Sequence, residues 1–288
     1  MKCYICGSES NIQREGKVRD SLKINILECK DCGLVFLDKQ ETDDEYYKAS
    51  GMRKDFKNSV EVLTLNQNLS LTDNERRIDF IKQNFSKDIN LLDFGSGLGH
   101  FLILAKENHF LNICGVELEE RVKSVYFDHN ITLYENLDYI QNDSLDVVTL
   151  FHCIAHIHDP IMLLKKLSEK LKKNGKIIIE TPNANDALLD IYKNKGFSNF
   201  TYQKCMLYHF NKYSLYQIAR KSSLDIDFIK HIQRYPLSNT LYWLNNNLPA
   251  GQKYWGSIID NKNLQNAYEA TLASIGATDT LFAQFSKI

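Results

Sequence analysis

Residues 89–108, INLLDFGSGLGHFLILAKEN, contain the pattern that decides the fold: an apolar stretch, a glycine-rich turn and a second apolar stretch with helical spacing. The first stretch predicts a buried strand and the last predicts a helix. Gly95, Gly97 and Gly99 permit a tight turn and let a ligand approach the backbone, beside a helix N-terminus that favours polar or anionic groups. A tight turn that binds no ligand is the alternative.

The next predicted strand, within LNICGVELEE, ends at Glu117, 24 positions after Asp93. A carboxylate at that place can accept hydrogen bonds from both ribose hydroxyls of a nucleoside. Alone, Glu117 is equally consistent with a charge at a helix start, whereas together with the glycine turn it favours a nucleoside cofactor. From about residue 76 the chain alternates strand and helix patterns, which predicts a parallel sheet with helices on both faces.

The turn sequence DFGSGLG resembles motif I of the class I S-adenosylmethionine-dependent methyltransferases, in which the glycines accommodate the methionine part and the later acidic residue holds the ribose. Residues 144–160, SLDVVTLFHCIAHIHDP, and residues 174–183, NGKIIIETPN, are similar to two further segments of this family. So are residues 209–215, HFNKYSL, where Asn211 is expected to cap a helix. The resemblance covers roughly residues 88–220.

This resemblance implies a Rossmann-like, mostly parallel seven-stranded sheet with helices on both faces, and S-adenosylmethionine as cofactor. One departure is Ala155, which stands where the family has a glutamate. Any acid–base role of that glutamate therefore does not carry over. The cofactor-binding residues that the resemblance implies are Asp93, Gly95, Ser96, Gly97, Gly99, Glu117, Leu118, Asn136 and Phe151.

Histidines are concentrated in residues 151–160, FHCIAHIHDP. Since ligands of open parallel sheets bind at the carboxyl ends of the strands, His152 and His156 are expected near the donor methyl group. We predict His156 as a general base or acceptor-orienting group, with a structural role as the alternative, and His152 as structural or catalytic. His158 is expected to be exposed at a helix cap, and His209 is a second candidate on the acceptor side. A catalytic metal is disfavoured, because the resembling family uses none there.

Four cysteines near the N-terminus form two C-x2-C pairs, each followed by a glycine that allows a tight turn. This spacing predicts a structural zinc ion in a zinc ribbon of residues 1–40, because four sulfurs leave no open coordination position. An iron–sulfur cluster or rubredoxin-type iron is the alternative. Residues 1–40 carry seven Lys/Arg against six Asp/Glu, which weakens an RNA-binding role. The predicted zinc ligands are Cys3, Cys6, Cys29 and Cys32.

The predicted organisation continues with a helical connection over residues 41–75 and a class I methyltransferase domain over residues 76–288. The last two strands are expected to form an antiparallel pair, separated by an insertion at residues 236–277 beside the acceptor cleft. Its aromatic side chains either stack on the acceptor or pack the insertion onto the sheet; they are Tyr242, Trp243 and Trp255. Phosphate contacts or, more simply, solvated surface charges are expected at Arg234, Lys253 and Arg121, and buried small residues at Cys114, Cys153 and Cys205.

The composition of the 288 residues sets further bounds. The net charge of −1 provides no global field that would attract nucleic acid or anionic lipid. The first residues, MKCYICG, do not resemble a secretion signal, so a cytoplasmic protein is expected, in which seven cysteines indicate thiols or metal ligands. The ribbon resembles that of bacterial methyltransferases of surface sugars and capsule groups, which implies a small acceptor, nucleotide-linked or phosphorylated. An rRNA methyltransferase and a noncatalytic binding protein are the alternatives.

Overall fold

The computed structural model describes residues 1–49 and 59–288, with side chains from residue 71 onward in the second range. The strands are β1 (Asn11–Gln13), β2 (Ile26–Cys29), β3 (Val35–Leu37), β4 (Leu91–Phe94), β5 (Ile113–Val116), β6 (Thr132–Tyr134), β7 (Leu145–Phe151), β8 (Leu171–Pro182), β9 (Tyr208–His209), β10 (Leu224–Ile232) and β11 (Thr280–Lys287).

The helices are α1 (Asp44–Lys48), α2 (Ser59–Asn84), α3 (His100–Glu107), α4 (Lys123–Asp128), α5 (Pro160–Lys170), α6 (Ala187–Asp190), α7 (Lys195–Thr201), α8 (Lys212–Lys221), α9 (Leu237–Asn246), α10 (Gln252–Ile259) and α11 (Lys262–Ser274). Short 3-10 turns occupy Glu120–Val122, Leu137–Tyr139 and Ile154–His156.

The central sheet has seven strands in the order β10-β11-β8-β7-β4-β5-β6. Strands β4 to β8 pair in parallel, whereas β11 pairs antiparallel with both β8 and β10. This confirms the predicted mostly parallel sheet and its closing antiparallel pair. Because β7 lies between β4 and β8, the carboxyl ends of these three strands meet at one edge of the sheet.

Both faces of the central sheet are buried, which explains why its strands are almost continuously apolar. Successive side chains of a strand point to opposite faces. Accordingly Leu91 and Val147 pack on one face with residues of α2 and α3, and their neighbours Leu92 and Val148 pack on the other with residues of α5 and α8. The predicted helices on both faces are therefore confirmed.

The N-terminal cysteines belong to a second, antiparallel sheet of order β1-β2-β3-β9. Its fourth strand comes from the methyltransferase-like part of the chain, since Val35 pairs with His209 and Phe36 with Tyr208. The buried cysteines also share a hydrophobic cluster with Leu92 of the central sheet. Residues 1–40 are therefore continuous with the main domain in both sheet and core, although the sequence predicted a separate small module.

Residues 41–75 were predicted to be a helical connection, of which residues 50–58 lie outside the described part of the chain. Helix α1 starts as expected, since the Asp43 carboxylate accepts a hydrogen bond from the backbone N–H of Tyr46. Helix α2 runs from Ser59 to Asn84 and thus passes through residue 76, where the sequence placed the start of the domain. Its final turns are part of the domain.

The predicted insertion between the last two strands forms helices α9, α10 and α11. Trp243 of α9 is 2% exposed and its ring lies 5.3 Å from Phe197 and 5.2 Å from Phe200 of α7. Tyr242 stacks on Tyr254 and contacts Trp255, both within the insertion. Trp243 thus packs the insertion against α7, while Tyr242 and Trp255 pack on rings of the insertion itself. Among the described helices, none has the length and apolar character required to cross a bilayer.

Candidate active site

The glycine turn after β4 has the conformation that its sequence requires. Gly95, Gly97 and Gly99 have φ angles of 72°, 56° and 74°, a region in which a side chain is strained. A Cβ atom on Gly95 would lie 2.4 Å from the Sγ atom of Cys153, which follows β7. The loop after β7 is therefore packed directly against the glycine turn, and a larger residue at position 95 would push them apart.

Glu117 lies at the end of β5, directly beside this turn. Its Oε2 atom accepts a hydrogen bond of 2.8 Å from the backbone N–H of Gly97. Its Oε1 atom accepts bonds from the backbone N–H groups of Leu118 (2.8 Å) and Glu119 (3.0 Å). The carboxylate is thus fixed at the rim of the glycine turn, where the two predicted elements of a nucleoside site are in contact.

The remaining predicted cofactor residues lie around the same turn. Asp93 is buried beneath it, where Thr149 donates a hydrogen bond of 2.6 Å to its carboxylate and burial raises its pKa to about 7. The Ser96 hydroxyl accepts a hydrogen bond from Tyr126, a residue that the sequence analysis did not single out. Asn136 caps the 3-10 turn after β6 by accepting a hydrogen bond from the backbone N–H of Asp138. These residues fit a nucleoside cofactor held by Glu117 over a glycine turn.

Phe151 ends β7 and is half-buried. The edge of its ring meets Phe101 of α3 at a centroid distance of 4.9 Å, and the Arg77 guanidinium lies 4.4 Å from its centroid. Phe151 therefore lies between α3, the helix that follows the glycine turn, and the charged side chains at the ends of β7 and β8.

The three clustered histidines have three separate sets of partners. Nε2 of His152 lies 3.0 Å from a Glu180 carboxylate oxygen, and Nδ1 of His156 lies 2.7 Å from the carbonyl oxygen of Cys205. His158 is exposed, as predicted, and bonds through Nδ1 to the side chain of Gln40. The rings therefore point to different neighbours and do not converge on one ion.

His152 has a conformation that is uncommon for a residue with a Cβ atom, since its φ angle is 54°. Its backbone N–H donates a bond of 2.7 Å to the carbonyl oxygen of Glu180. Burial, followed by the nearby Arg234 charge, lowers the pKa of His152 to about 4. The imidazole is thus neutral at physiological pH and keeps an acceptor nitrogen.

Glu180, in β8, is completely buried and collects an ion network that the sequence analysis did not predict. Arg77 donates to its carboxylate at 2.6 Å and Arg76 at 2.7 Å, while Arg234 lies 3.7 Å away. Arg234 also binds Asp73 through two guanidinium nitrogens. Arg234 is therefore a partner in a buried network, and its prediction as a solvated charge was wrong because β10 brings it beside α2.

The other predicted cations and the three remaining cysteines differ from one another in burial and in partners. Arg121 forms an ion pair of 2.7 Å with the buried Glu119, whereas Lys253 is exposed. Cys205 is buried, and Cys114 and Cys153 are half-buried. The expectation of a buried small residue is therefore confirmed for Cys205, whereas Cys153 is half-buried and lies against Gly95.

His209 and His156 lie toward the N-terminal sheet. His209 is 3% exposed in β9, its ring meets Tyr202 edge-on at 4.9 Å, and burial lowers its pKa to about 3. The His156 ring meets the ring of Tyr47 in α1 edge-on, with a centroid distance of 6.4 Å, and burial lowers the pKa of His156 as well. His209 is thus enclosed, while His156 joins the loop after β7 to the residues before α2.

The four N-terminal cysteines form a compact cluster of ligand atoms that lie within 4.8 Å of one another. Tetrahedral zinc with Zn–S bonds of about 2.3 Å requires sulfur separations of about 3.8 Å. The Cys3–Cys32 and Cys6–Cys29 sulfur pairs are 3.5 Å apart, so the residues fit such an ion. Asn211, which caps α8 as predicted, donates to the carbonyl oxygen of Gly33 at 3.1 Å.

A family model described as a methyltransferase domain matches residues 67–227, more than half of the 288-residue chain. The chain belongs to this family. The matched region holds the glycine turn, Glu117 and the histidine-rich loop, and it is a class I S-adenosylmethionine-dependent methyltransferase domain. The family resemblance of the sequence is thereby confirmed for the domain.

Known proteins similar to the chain support this assignment. A ubiquinone biosynthesis O-methyltransferase of Coxiella burnetii is 27% identical over 122 residues, which are 39% of this chain and 52% of that protein. A carboxy-S-adenosyl-L-methionine synthase of Nautilia profundicola is 27% identical over 145 residues, covering 43% and 62%. The chain thus spans about half the length of the ubiquinone relative. A Thermotoga maritima S-adenosylmethionine-dependent methyltransferase shares the fold, with a TM-score of 0.51, 18% identity and coverage of 80% and 96%.

Proposed function

We propose that the protein transfers a methyl group from S-adenosylmethionine to a small polar acceptor. The observation that carries this proposal is the hydrogen bond from the backbone N–H of Gly97 to Glu117, a carboxylate that would bind the ribose beside the glycine turn of a methyltransferase domain. At the same edge of the sheet, the loop after β7 packs against Gly95 and presents His152. Cofactor-binding and acceptor-side residues therefore adjoin one another.

S-adenosylmethionine, when bound, supplies a methyl group that its sulfonium already activates. The chain has to hold the cofactor, align the acceptor with the methyl group and provide a place for the acceptor's proton. Glu117 and the glycine turn would hold the ribose and methionine parts. His152 and His156 lie in the loop after β7, whose Cys153 packs against this turn, and either would offer an unprotonated ring nitrogen. For an acceptor that is already anionic, alignment alone would supply most of the rate.

For the acceptor we propose a nucleotide-linked sugar or a capsule modification such as a phosphoramidate group. Three features support this class: the resemblance of the cysteine ribbon to those of surface-sugar methyltransferases, the near-neutral charge of residues 1–40, and the polar ends of β7 and β8. The name of the Coxiella relative supports oxygen as the atom methylated. A zinc ion at the cysteine cluster is part of the proposal and has a structural role.

Methyl-labelled S-adenosylmethionine would test the proposal, together with an extract of the source cells separated into small-molecule, polysaccharide and RNA fractions. We expect label in the small-molecule fraction with the native protein and none with Glu117→Ala. The control variant is Glu120→Ala, because Glu120 is an exposed neighbour of the same turn. Label in RNA would establish the rRNA alternative, and cofactor binding without label in any fraction would establish the noncatalytic one.

A further inference from the structure

His152 is held by Glu180 through two independent hydrogen bonds. One joins the backbone N–H of His152 to the carbonyl oxygen of Glu180, and the other joins Nε2 of the ring to the carboxylate. The left-handed φ angle of 54° is unfavourable for histidine, so these bonds maintain a conformation that the residue would not adopt by itself. Strained residues of this kind concentrate at functional sites.

The charge on Glu180 decides which nitrogen of the ring carries the proton. Its carboxylate accepts bonds from Arg76 and Arg77. Burial raises the pKa of Glu180, but the hydrogen bond with His152 and the charges of Arg77 and Arg76 outweigh burial and hold it well below the ordinary value of glutamate. An ionised carboxylate can only accept hydrogen bonds. Nε2 of His152 must therefore be the donor, and Nδ1 keeps its lone pair.

Nδ1 of His152 has no hydrogen-bond partner among the described residues, and 27% of the side chain is exposed, whereas Glu180 is completely buried. The neighbouring residue Cys153 packs against Gly95 of the glycine turn. The free nitrogen thus belongs to the loop that separates the glycine turn from the end of β8. His156 differs, because its anchor is a neutral backbone carbonyl and its ring packs toward Tyr47.

We propose that Glu180 is a positioning residue that fixes His152 in its Nε2–H form, and that Nδ1 of His152 accepts the proton of a hydroxyl group on the methyl acceptor. This inference rests on the proposed function. In the step, the hydroxyl oxygen forms the bond to the methyl carbon, the S–C bond breaks with its electron pair passing to sulfur, and the hydroxyl proton moves to Nδ1. Positive charge passes from the sulfonium to the imidazole, so the total charge of the site is unchanged.

The surrounding charges keep His152 available for this role over a wide pH range. The charged groups around Glu180 and His152 are Asp73, Arg76 and Arg77 from α2, Arg234 after β10 and Asp279 before β11. Burial and the arginines together hold the pKa of His152 near 4. The acceptor form of the ring therefore predominates above that pH, where an ordinary histidine with a pKa of about 6.5 would be protonated below neutrality.

Nitrogen NMR of histidine-labelled protein tests the assignment without any acceptor. We expect His152 to show a single Nε2–H form from pH 8 to pH 5, and Glu180→Gln to show a mixture of the two forms. Circular dichroism verifies that the variant is folded. If that variant is unfolded, the native spectrum still decides, since an Nδ1–H form or a protonated ring at pH 6 in the native protein would overturn the proposal.

Methyl transfer to the labelled extract fraction tests the catalytic part. His152→Asn retains a residue that tolerates left-handed φ and has no proton-accepting nitrogen, so we expect a loss of about 100-fold or more in rate. Binding of S-adenosylhomocysteine should be unchanged, and imidazole should restore activity to His152→Gly. The matched variant His158→Asn, which changes an exposed histidine of the same loop that binds Gln40, should retain activity within about threefold. An active His152→Asn beside an inactive His156→Asn would overturn the proposal, and failure of all proteins to transfer label would instead reject the proposed function.

Discussion

The two proposed sides of the site, one for the cofactor and one for the acceptor, are built in different ways. On the cofactor side, Glu117 and the glycine turn lie 20 residues apart and bind each other through backbone N–H groups. On the acceptor side, the Glu180 carboxylate binds Arg77, which is 103 residues away, and Arg234 reaches α2 from 161 residues away. Local turn geometry therefore defines the cofactor side, whereas the packing of distant elements defines the acceptor side.

This difference indicates where the two sides are vulnerable. A backbone cradle depends on glycines and tolerates change in distant elements. A buried ion network depends on every partner, because a charge left unpaired in the interior is costly. The N-terminal unit is joined to the main domain at the loop after β7, where Gln40 binds His158, and through β9, which pairs with β3.

Metal removal should have the largest effect and tests the connection between the N-terminal unit and the main domain. Structural zinc sites contribute about 10–16 kcal/mol of apparent binding free energy. Stripping the proposed zinc ion with a chelator should therefore unfold the β1-β2-β3 unit and raise amide exchange at Tyr208 and His209, while exchange in β4 and β5 changes little. Mass spectrometry of hydrogen exchange measures both regions in one experiment, and equal protection in all of them would contradict the connection.

Removal of the Glu180 carboxylate should be the next most damaging change. Glu180→Ala leaves Arg76 and Arg77 without their buried partner, and breaking such a buried pair costs about 3–5 kcal/mol in the free energy of unfolding. Asp225→Ala is the control, because it removes an exposed ion pair of 3.7 Å with Arg220 and should cost less than about 1 kcal/mol. Urea unfolding compares the two variants, and equal values would show that the network contributes no specific stability.

Loss of the Glu117 side chain should weaken cofactor binding without unfolding the chain. Glu117→Ala removes the carboxylate that would accept the ribose hydroxyls, and hydrogen bonds to a charged group contribute about 1.5–3 kcal/mol. We expect the dissociation constant of S-adenosylhomocysteine to rise about 10-fold to 100-fold in titration calorimetry. The Glu120→Ala control should bind normally, and unchanged binding by Glu117→Ala would contradict the cofactor placement.

A pair of glycine substitutions includes the smallest expected effect, at Gly7, and separates backbone strain from contact. Gly7 and Gly95 have similar φ angles of 74° and 72°, but a Cβ on Gly7 meets no atom within 4 Å, whereas one on Gly95 meets Cys153. Gly7→Ala should cost about 1 kcal/mol of stability from strain, and Gly95→Ala about 1–3 kcal/mol more from the forced contact. Thermal unfolding measures the difference in stability between the two variants. Equal losses of stability would show that the loop after β7 moves aside at little cost in free energy.

The parts of the fold and site that depend on residues close together in the sequence could be predicted from the sequence. The glycine turn, the acidic residue after β5, the cysteine pairs and the Asn211 cap all act within a few residues or within one strand–helix unit. Apolar strands that are buried on both faces likewise leave a direct pattern in the sequence. The mostly parallel, seven-stranded character of the central sheet followed from the resemblance to a family with that fold.

Only the tertiary structure decided which distant groups became partners. A glutamate in the apolar stretch KIIIETP indicates that a buried charge needs compensation, yet nothing local identifies Arg76, Arg77 and His152 as the groups that provide it. The same applies to β9, which is too short to predict and joins the cysteine unit to the domain. The physical reason is that backbone turns are determined by neighbouring residues, whereas the pairing of buried charges and strand edges is determined by which elements the hydrophobic core brings together.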